Sequence, residues 1–154
     1  MIDLHELEAI KRLKHKYLRC LDEKLWDEME TVFTEDATAA YSGGKYSFTG
    51  RDKILEFLRQ VLGPPTMLTS HRASQPEIDF TSDTTATGIW AFEDTVIETG
   101  SNITIRGAAF YRDEYVKVDG QWRIKATGYT RTFEEMRSRG DTPSLKLTAN
   151  RWSD

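Results

Sequence analysis

The sequence predicts a single α+β domain in which three helices, all in its first half, pack on a curved antiparallel sheet. Helical periodicity ends near Leu62, and from about Thr69 onward the chain alternates in the manner of long strands separated by turns. This segregation of helices from strands favours α+β over a parallel α/β sheet. A chain of 154 residues suits one domain with a substantial core.

The helices are marked by the spacing of apolar side chains and by the residues that end them. Apolar residues recur at every third or fourth position from Leu4 to Leu25, which predicts an amphipathic helix over about 3–24. The segment Trp26–Phe33 is typical of a second, short helix. A third helix is predicted over Arg51–Leu62 and is ended by Gly63-Pro64-Pro65.

The strands are predicted between and after these helices. Two short strands, Ala37–Tyr41 and Tyr46–Phe48, are joined by the turn Ser42-Gly43-Gly44-Lys45, and four longer strands follow at 69–80, 85–98, 103–118 and 121–133. A curved sheet with helices across one face encloses a pocket between the layers, where a ligand is expected. We assign the domain to residues 1–135 and a polar C-terminal tail to 136–154.

The composition excludes several classes of protein. A net charge of −4 without a basic patch argues against nucleic-acid binding. No apolar run is long enough to span a membrane, and the acidic amphipathic N-terminus does not fit a signal peptide, so we expect a cytoplasmic protein. The single cysteine, Cys20, allows neither an internal disulfide nor a cysteine-built zinc site, and the three histidines lack metal-ligand spacing. We therefore expect no metal and no cofactor.

Two polar residues of the first predicted helix lie on or beside its apolar face. At about 100° per residue, Tyr17 lies in the middle of the apolar arc and Asp22 at its edge. Lys14 is the one charged residue within that arc. A tyrosine in such a position is usually a core residue, and an aspartate near a helix end is usually at the surface.

Strand residues supply a stronger indication of a site. Because side chains alternate along a strand, Asp94 shares a face with Trp90 and Phe92, and a carboxylate buried beside aromatic rings needs a partner or its pKa rises. Pairing of positions 80 and 85 across the preceding turn places His71 opposite Asp94 if no bulge intervenes, although Pro76 favours an irregularity. These positions predict a His71–Asp94 dyad.

These residues belong to segments that resemble the SnoaL-like, NTF2-like superfamily and, within it, the bile-acid 7α-dehydratase group. The resemblance covers roughly residues 8–135, and its segments are 10–22, 25–28, His71 with 76–78, 85–94, 107–111, 119–125 and 128–131. It implies that Tyr17, Asp22, His71 and Asp94 are the active-site residues and that Arg131 is a polar residue of the pocket. Segments 40–70 and the tail after Met136 diverge from the group, which implies a different substrate.

The function expected from this resemblance is a cofactor-independent lyase of the dehydratase type. Asp94 would orient His71, His71 would remove a proton beside a carbonyl, and Tyr17 would stabilise the enolate, while Asp22 would position Tyr17 or protonate the leaving group. The substrate would be a small hydrophobic, hydroxylated ring compound bound by Trp90, Phe92, Tyr129 and Arg131.

Other functions remain open on the same residues. A retro-aldol, formaldehyde-releasing lyase or a ketosteroid-type isomerase would use the same base, and a non-catalytic ligand-binding or scaffold subunit would not use it. The relatives commonly associate through the uncovered face of the sheet, so a homo-oligomer is expected, a trimer before a dimer.

Overall fold

The computed structural model describes residues 3–153, in which α-helices cover one face of a six-stranded sheet. The helices are α1 (Leu4–Glu23), α2 (Trp26–Glu30) and α3 (Arg51–Leu62). The strands are β1 (Phe33–Tyr41), β2 (Tyr46–Thr49), β3 (Met67–Phe80), β4 (Thr85–Glu98), β5 (Ile103–Val118) and β6 (Gln121–Ser138). No helix in this described part of the chain is long and apolar enough to cross a membrane.

The sheet is curved and open, with the strand order β2-β1-β6-β5-β4-β3. Antiparallel neighbours account for every pair except β1 and β6, which run parallel. The predicted α+β architecture is therefore confirmed, and the sheet is mixed because β6, the last strand of the β3–β6 meander, lies parallel beside β1.

Helix α1 is fixed at both ends by side chains. The Asp3 carboxylate accepts a hydrogen bond from the backbone N–H of His5 at 2.8 Å, which satisfies a donor that the first helical turn leaves free. At the other end Lys24 adopts a left-handed backbone conformation with φ of 56°. The Lys24 ammonium donates to the carbonyl oxygens of Leu62, Pro64 and Met67 at 2.5–2.8 Å and so ties α1 to the connection between α3 and β3.

Several predicted boundaries were wrong, and the first strand begins at Phe33 rather than at Ala37. The second helix ends at Glu30 rather than Phe33, because the carbonyl of Val32 accepts from the N–H of Ile124 and the chain enters β1 beside β6. Strand β6 continues to Ser138, beyond its predicted end at residue 133, since the first residues of β5 pair with it. The sequence did not indicate this extension, because both faces of the strand are exposed there and its residues therefore show no alternation of apolar and polar side chains.

The predicted pairing of His71 with Asp94 is confirmed in register. It arises from two irregularities that cancel. Phe80 pairs with Ala86 rather than with position 85, and a bulge between Ser74 and Glu77 shifts the register back by one residue. The bulge contains Gln75 with φ of 52°, and it lies beside Pro76 as the sequence suggested.

Candidate active site

A cavity of about 440 Å³ lies between the helices and the concave part of the sheet, as predicted. Its wall is largely apolar and aromatic, from Leu21 of α1 through Phe57, Leu58 and Val61 of α3 to Ile105 of β5. The polar side chains among the residues that line it are Tyr17, Tyr41, Ser42, Lys45, Tyr46, His71, Asp94, Tyr111, Tyr129, Arg131 and Glu134. The volume suits a ligand of one or a few rings.

His71 is held by the carboxylate of Asp22 from α1. The imidazole Nδ1 lies 2.6 Å from Asp22 Oδ1, and the backbone N–H of His71 donates to Asp22 Oδ2 at 2.8 Å. The hydroxyl of Thr69 donates to Asp22 Oδ1 at 2.8 Å. Three donors from one strand thus fix the carboxylate, and the carboxylate fixes the ring.

This contact determines which imidazole nitrogen can act as a base. A carboxylate only accepts hydrogen bonds, so Nδ1 carries the hydrogen that faces Asp22, and in the neutral ring the lone pair is on Nε2. Nε2 has no hydrogen-bond partner among residues 3–153, and the His71 side chain is 8% exposed. The arrangement is that of an oriented histidine base in a protected pocket.

The predicted His71–Asp94 dyad was wrong in its hydrogen bonding. Asp94 lies opposite His71 in the ladder, but its carboxylate accepts two hydrogen bonds from the Arg131 guanidinium, at 2.5 Å and 3.0 Å. Asp22 is also occupied: it contacts His71 and Thr69, and it makes no hydrogen bond to Tyr17 in the part of the chain that the structure describes. Asp22 therefore takes the role that was expected of Asp94.

Tyr17 reaches the cavity with a partner that the sequence did not reveal. Its hydroxyl lies 3.0 Å from the hydroxyl of Tyr41, and both residues are buried. Burial raises the pKa of both phenols well above the usual value, so both stay protonated near neutrality. Only one hydrogen lies between the two oxygens, so the other remains to donate to a ligand. Tyr41 could have been noticed as the last inward position of the alternating run Ala37, Ala39, Tyr41.

The four predicted substrate-binding residues divide into two pairs. Tyr129 and Arg131 line the cavity. Trp90 and Phe92 do not, because both are fully covered: the Trp90 indole N–H donates to Tyr115, and the Phe92 ring stacks against the His71 imidazole with 5.8 Å between centroids. Phe92 packs against the face of the His71 ring.

Across residues 3–153, no three or more histidine, cysteine, aspartate or glutamate side chains gather as a metal ion would require. The polar groups present combine a hydrogen-bond-oriented histidine, a protonated tyrosine pair and an arginine–carboxylate pair. Such a set can remove a proton from a bound molecule and stabilise an oxygen on which negative charge develops.

Comparisons with known proteins agree with this fold. A solved structure provisionally named as a scytalone dehydratase, from Novosphingobium aromaticivorans, is 31% identical, with a TM-score of 0.80 over 86% of this chain and 87% of its own. Hexachlorocyclohexane dehydrochlorinase LinA-type3 from Novosphingobium barchaimii shares the fold at 21% identity, with a TM-score of 0.78 over 87% and 91% of the two chains.

A Mycobacterium tuberculosis protein whose name records no activity is 26% identical over 132 residues, which is 82% of this chain and 86% of the relative. The profile of the SnoaL-like domain matches residues 3–128, most of the sequence. The chain therefore belongs to the SnoaL-like domain family.

Proposed function

We propose that this protein is a cofactor-independent lyase that eliminates water, or another small leaving group, from a hydroxylated ring compound bearing a carbonyl group. The observation that carries the proposal is the His71–Asp22 contact of 2.6 Å at the edge of a partly open, mainly apolar cavity. A structural histidine rarely keeps one ring nitrogen tied to a carboxylate and the other without a partner beside a ligand-sized space.

The proposed reaction begins with removal of a proton from the carbon beside the carbonyl by His71 Nε2. Negative charge then develops on the carbonyl oxygen, which accepts a hydrogen bond from the Tyr17–Tyr41 pair. Asp22 stabilises the imidazolium as it forms. When the carbon–oxygen bond breaks, the imidazolium returns its proton to the departing hydroxyl, so that water leaves, a carbon–carbon double bond forms and His71 is restored.

Arg131 and Asp94 are proposed to define the end of the substrate site. The two side chains form an ion pair with each other, and Arg131 Nε also lies 3.3 Å from the Glu134 carboxylate. The guanidinium carbon lies 5.1 Å from the centroid of the Tyr129 ring, so this ion pair holds an aromatic wall of the cavity in place. A neutral ring compound fits such a wall better than a strongly charged one.

The similar proteins support an elimination. The names of the 31% identical scytalone dehydratase-like structure and of the dehydrochlorinase both refer to removal of a small molecule from a larger one. The resemblance of Tyr17, Asp22, His71 and Asp94 to the active-site residues of the bile-acid 7α-dehydratase group favours the same class. The replacement of Asp94 by Asp22 as the carboxylate that contacts His71 leaves the proposed chemistry unchanged, because either carboxylate would serve to orient the base.

A panel of hydroxylated keto-steroids, cyclic polyketides and aryl β-hydroxyketones, incubated in deuterated water, tests the proposal. We expect at least one compound to exchange the hydrogen beside its carbonyl and to lose water, with His71→Ala inactive in both respects. Exchange without loss of water would indicate an isomerase instead. A compound that binds in the cavity yet shows neither exchange nor elimination would contradict an enzymatic role.

We also propose a homo-oligomer, a trimer before a dimer, formed through the sheet face that the helices leave uncovered. A broad groove on that face is lined by Ile89, Phe110, Arg112 and Thr130, and Phe110 is 46% exposed. Such an apolar residue within a mixed polar surface is typical of an interface. Light scattering should give about three times the chain mass of 17.7 kDa, and Phe110→Glu should lower it. A monomer mass at micromolar concentration would contradict this.

A further inference from the structure

A fully buried ion pair lies next to aromatic side chains that line the cavity. Lys14 of α1 and Asp113 of β5 have side chains with no exposed surface, and Lys14 Nζ lies 2.7 Å from Asp113 Oδ2. Asp113 accepts two further hydrogen bonds, from the Thr127 hydroxyl at 2.7 Å and the Tyr115 hydroxyl at 2.8 Å. Its carboxylate is thus fully satisfied.

Lys14 is satisfied less completely than its partner. Its ammonium has three hydrogens and one carboxylate, and its other near neighbours are aromatic rings: Nζ lies 3.4 Å from the centroid of Tyr111 and 4.8 Å from that of Tyr17. Burial lowers the lysine pKa, and the charge of Asp113 opposes that effect. An apolar pair of similar volume would usually be at least as stable in such a position. Packing alone therefore gives no reason for a charge here.

The two rings beside Lys14 belong to the cavity. Tyr17 and Tyr111 both line it, whereas Lys14 does not, so any effect of the ammonium on a ligand acts through the tyrosines. The hydroxyl of Tyr17 hydrogen-bonds to that of Tyr41, and the Tyr17 ring packs edge-to-face against that of Tyr111 with 6.2 Å between centroids. A cation against the face of a phenol stabilises negative charge on that phenol and makes its hydroxyl a stronger donor.

We propose that Lys14, held in place by Asp113, is a positioning residue that polarises the tyrosine hydroxyls and thereby strengthens the site that binds a negatively charged oxygen. The inference rests on the proposed function, in which an enolate oxygen occupies this site. It assigns a role to the one charged residue within the apolar arc of α1. The substrate feature that it serves is an oxygen that becomes anionic during the reaction, not one that is charged beforehand.

Binding of 2-naphthol and naphthalene tests the inference without knowledge of the substrate. The two probes have the same ring size, and ionisation of 2-naphthol to naphtholate changes its absorption and fluorescence, so the bound form can be identified. We expect the native protein to bind part of the 2-naphthol as naphtholate below the pH at which free naphthol ionises. Lys14→Met should bind naphthalene with unchanged affinity and naphtholate about tenfold more weakly, a change of the size that a desolvated cation–π contact gives.

A second variant keeps the test decisive if removal of Lys14 alone prevents folding. The double variant Lys14→Met/Asp113→Asn removes both charges. The amide oxygen that Asp113→Asn introduces can still accept from the Thr127 hydroxyl. The double variant should bind naphtholate as weakly as Lys14→Met, and Lys14→Arg should restore part of the affinity. Equal naphtholate affinity in the native protein and the double variant would overturn the inference.

The outcome for the native protein separates this inference from the proposed function. If it binds naphthalene but never naphtholate, the cavity accepts rings without favouring an anionic oxygen, and the role of Lys14 is refuted. If it binds neither probe, the cavity does not accept rings, and the proposed function fails together with the inference that rests on it.

Discussion

His71→Ala and Asp22→Asn are each expected to reduce turnover of any substrate found in the panel by about 10²–10⁴-fold, the contribution of a general base. Alanine removes the base itself. Asparagine can still accept from Thr69, but its amide group presents a donor as well as an acceptor to Nδ1, so the ring is no longer held in the tautomer with a free Nε2. The double variant should be little worse than either single one, because residues that act as one unit are not additive.

Asp94→Asn is the matched control for this prediction. Asp94 lines the cavity and holds Arg131, whereas Asp22 is not part of the lining and holds His71. We therefore expect Asp94→Asn to lose less activity, with most of its effect on KM, since it loosens a wall of the cavity and not the base. Thermal unfolding of each variant separates loss of activity from loss of fold. A deeper loss of kcat in Asp94→Asn than in Asp22→Asn would refute the assignment of Asp22 as the residue that orients the base.

The elements that could be predicted from the sequence are those specified by nearby residues. The bounds of α3, β4 and β5 were predicted to the residue, because helical periodicity, strand alternation and the intervening turn residues all agree there. The parallel pairing of β1 with β6 could not be predicted in this way. It joins segments about 90 residues apart, and nothing in a local pattern specifies which distant edge a strand will meet.

The candidate site, too, could be predicted only in part from the sequence. Tyr17, His71 and Asp94 line the cavity, as their positions and the family resemblance implied, and Asp22 is connected to it through His71. Which carboxylate bonds to His71 could not be read from strand register, because register relates only β3 to β4. Asp22 approaches from a helix that crosses them, and its distance depends on how α1 packs on the sheet.

The sequence indicated that Lys14 needs a buried partner but did not indicate which residue supplies it. A charged residue within an apolar arc predicts a buried partner. That partner, Asp113, occupies an inward position of β5 between Tyr111 and Tyr115. Alternation along β5 places Asp113 on the buried face, but only the packed structure brings it to α1.

Stability is expected to fall steeply above pH 10 because buried phenols resist ionisation. Burial is the largest cause that raises the pKa of four tyrosines well above the usual value: Tyr17, Tyr41, Tyr111 and Tyr115. In the unfolded chain they ionise near pH 10, whereas in the folded protein they do not. The unfolded state therefore loses protons that the folded state keeps, so the contribution of these tyrosines to stability is complete below pH 10 and is lost as the pH rises toward their folded pKa values.

The expected slope is large. Each tyrosine contributes about 1.4 kcal/mol per pH unit in this range, so the four together contribute about 5 kcal/mol per unit, which is comparable with the whole stability of a typical domain. Burial lowers the pKa values of Lys14 and Lys24. These two lysines make the stability rise with pH, but only below about pH 10.5, where unfolded lysines are still charged.

Urea unfolding between about pH 9 and 11.5 measures this slope, and Tyr111→Phe is the control variant. Phenylalanine keeps an aromatic ring against Lys14 and removes one ionisable hydroxyl, so the slope above pH 10.5 should fall by about a quarter. Tyrosinate absorbance adds an independent check, since the folded protein should show far fewer than its six tyrosines ionising near pH 10. Stability that stays constant through this range, or a folded protein in which all six ionise together, would contradict the burial of the tyrosine cluster on which the proposed oxygen-binding site depends.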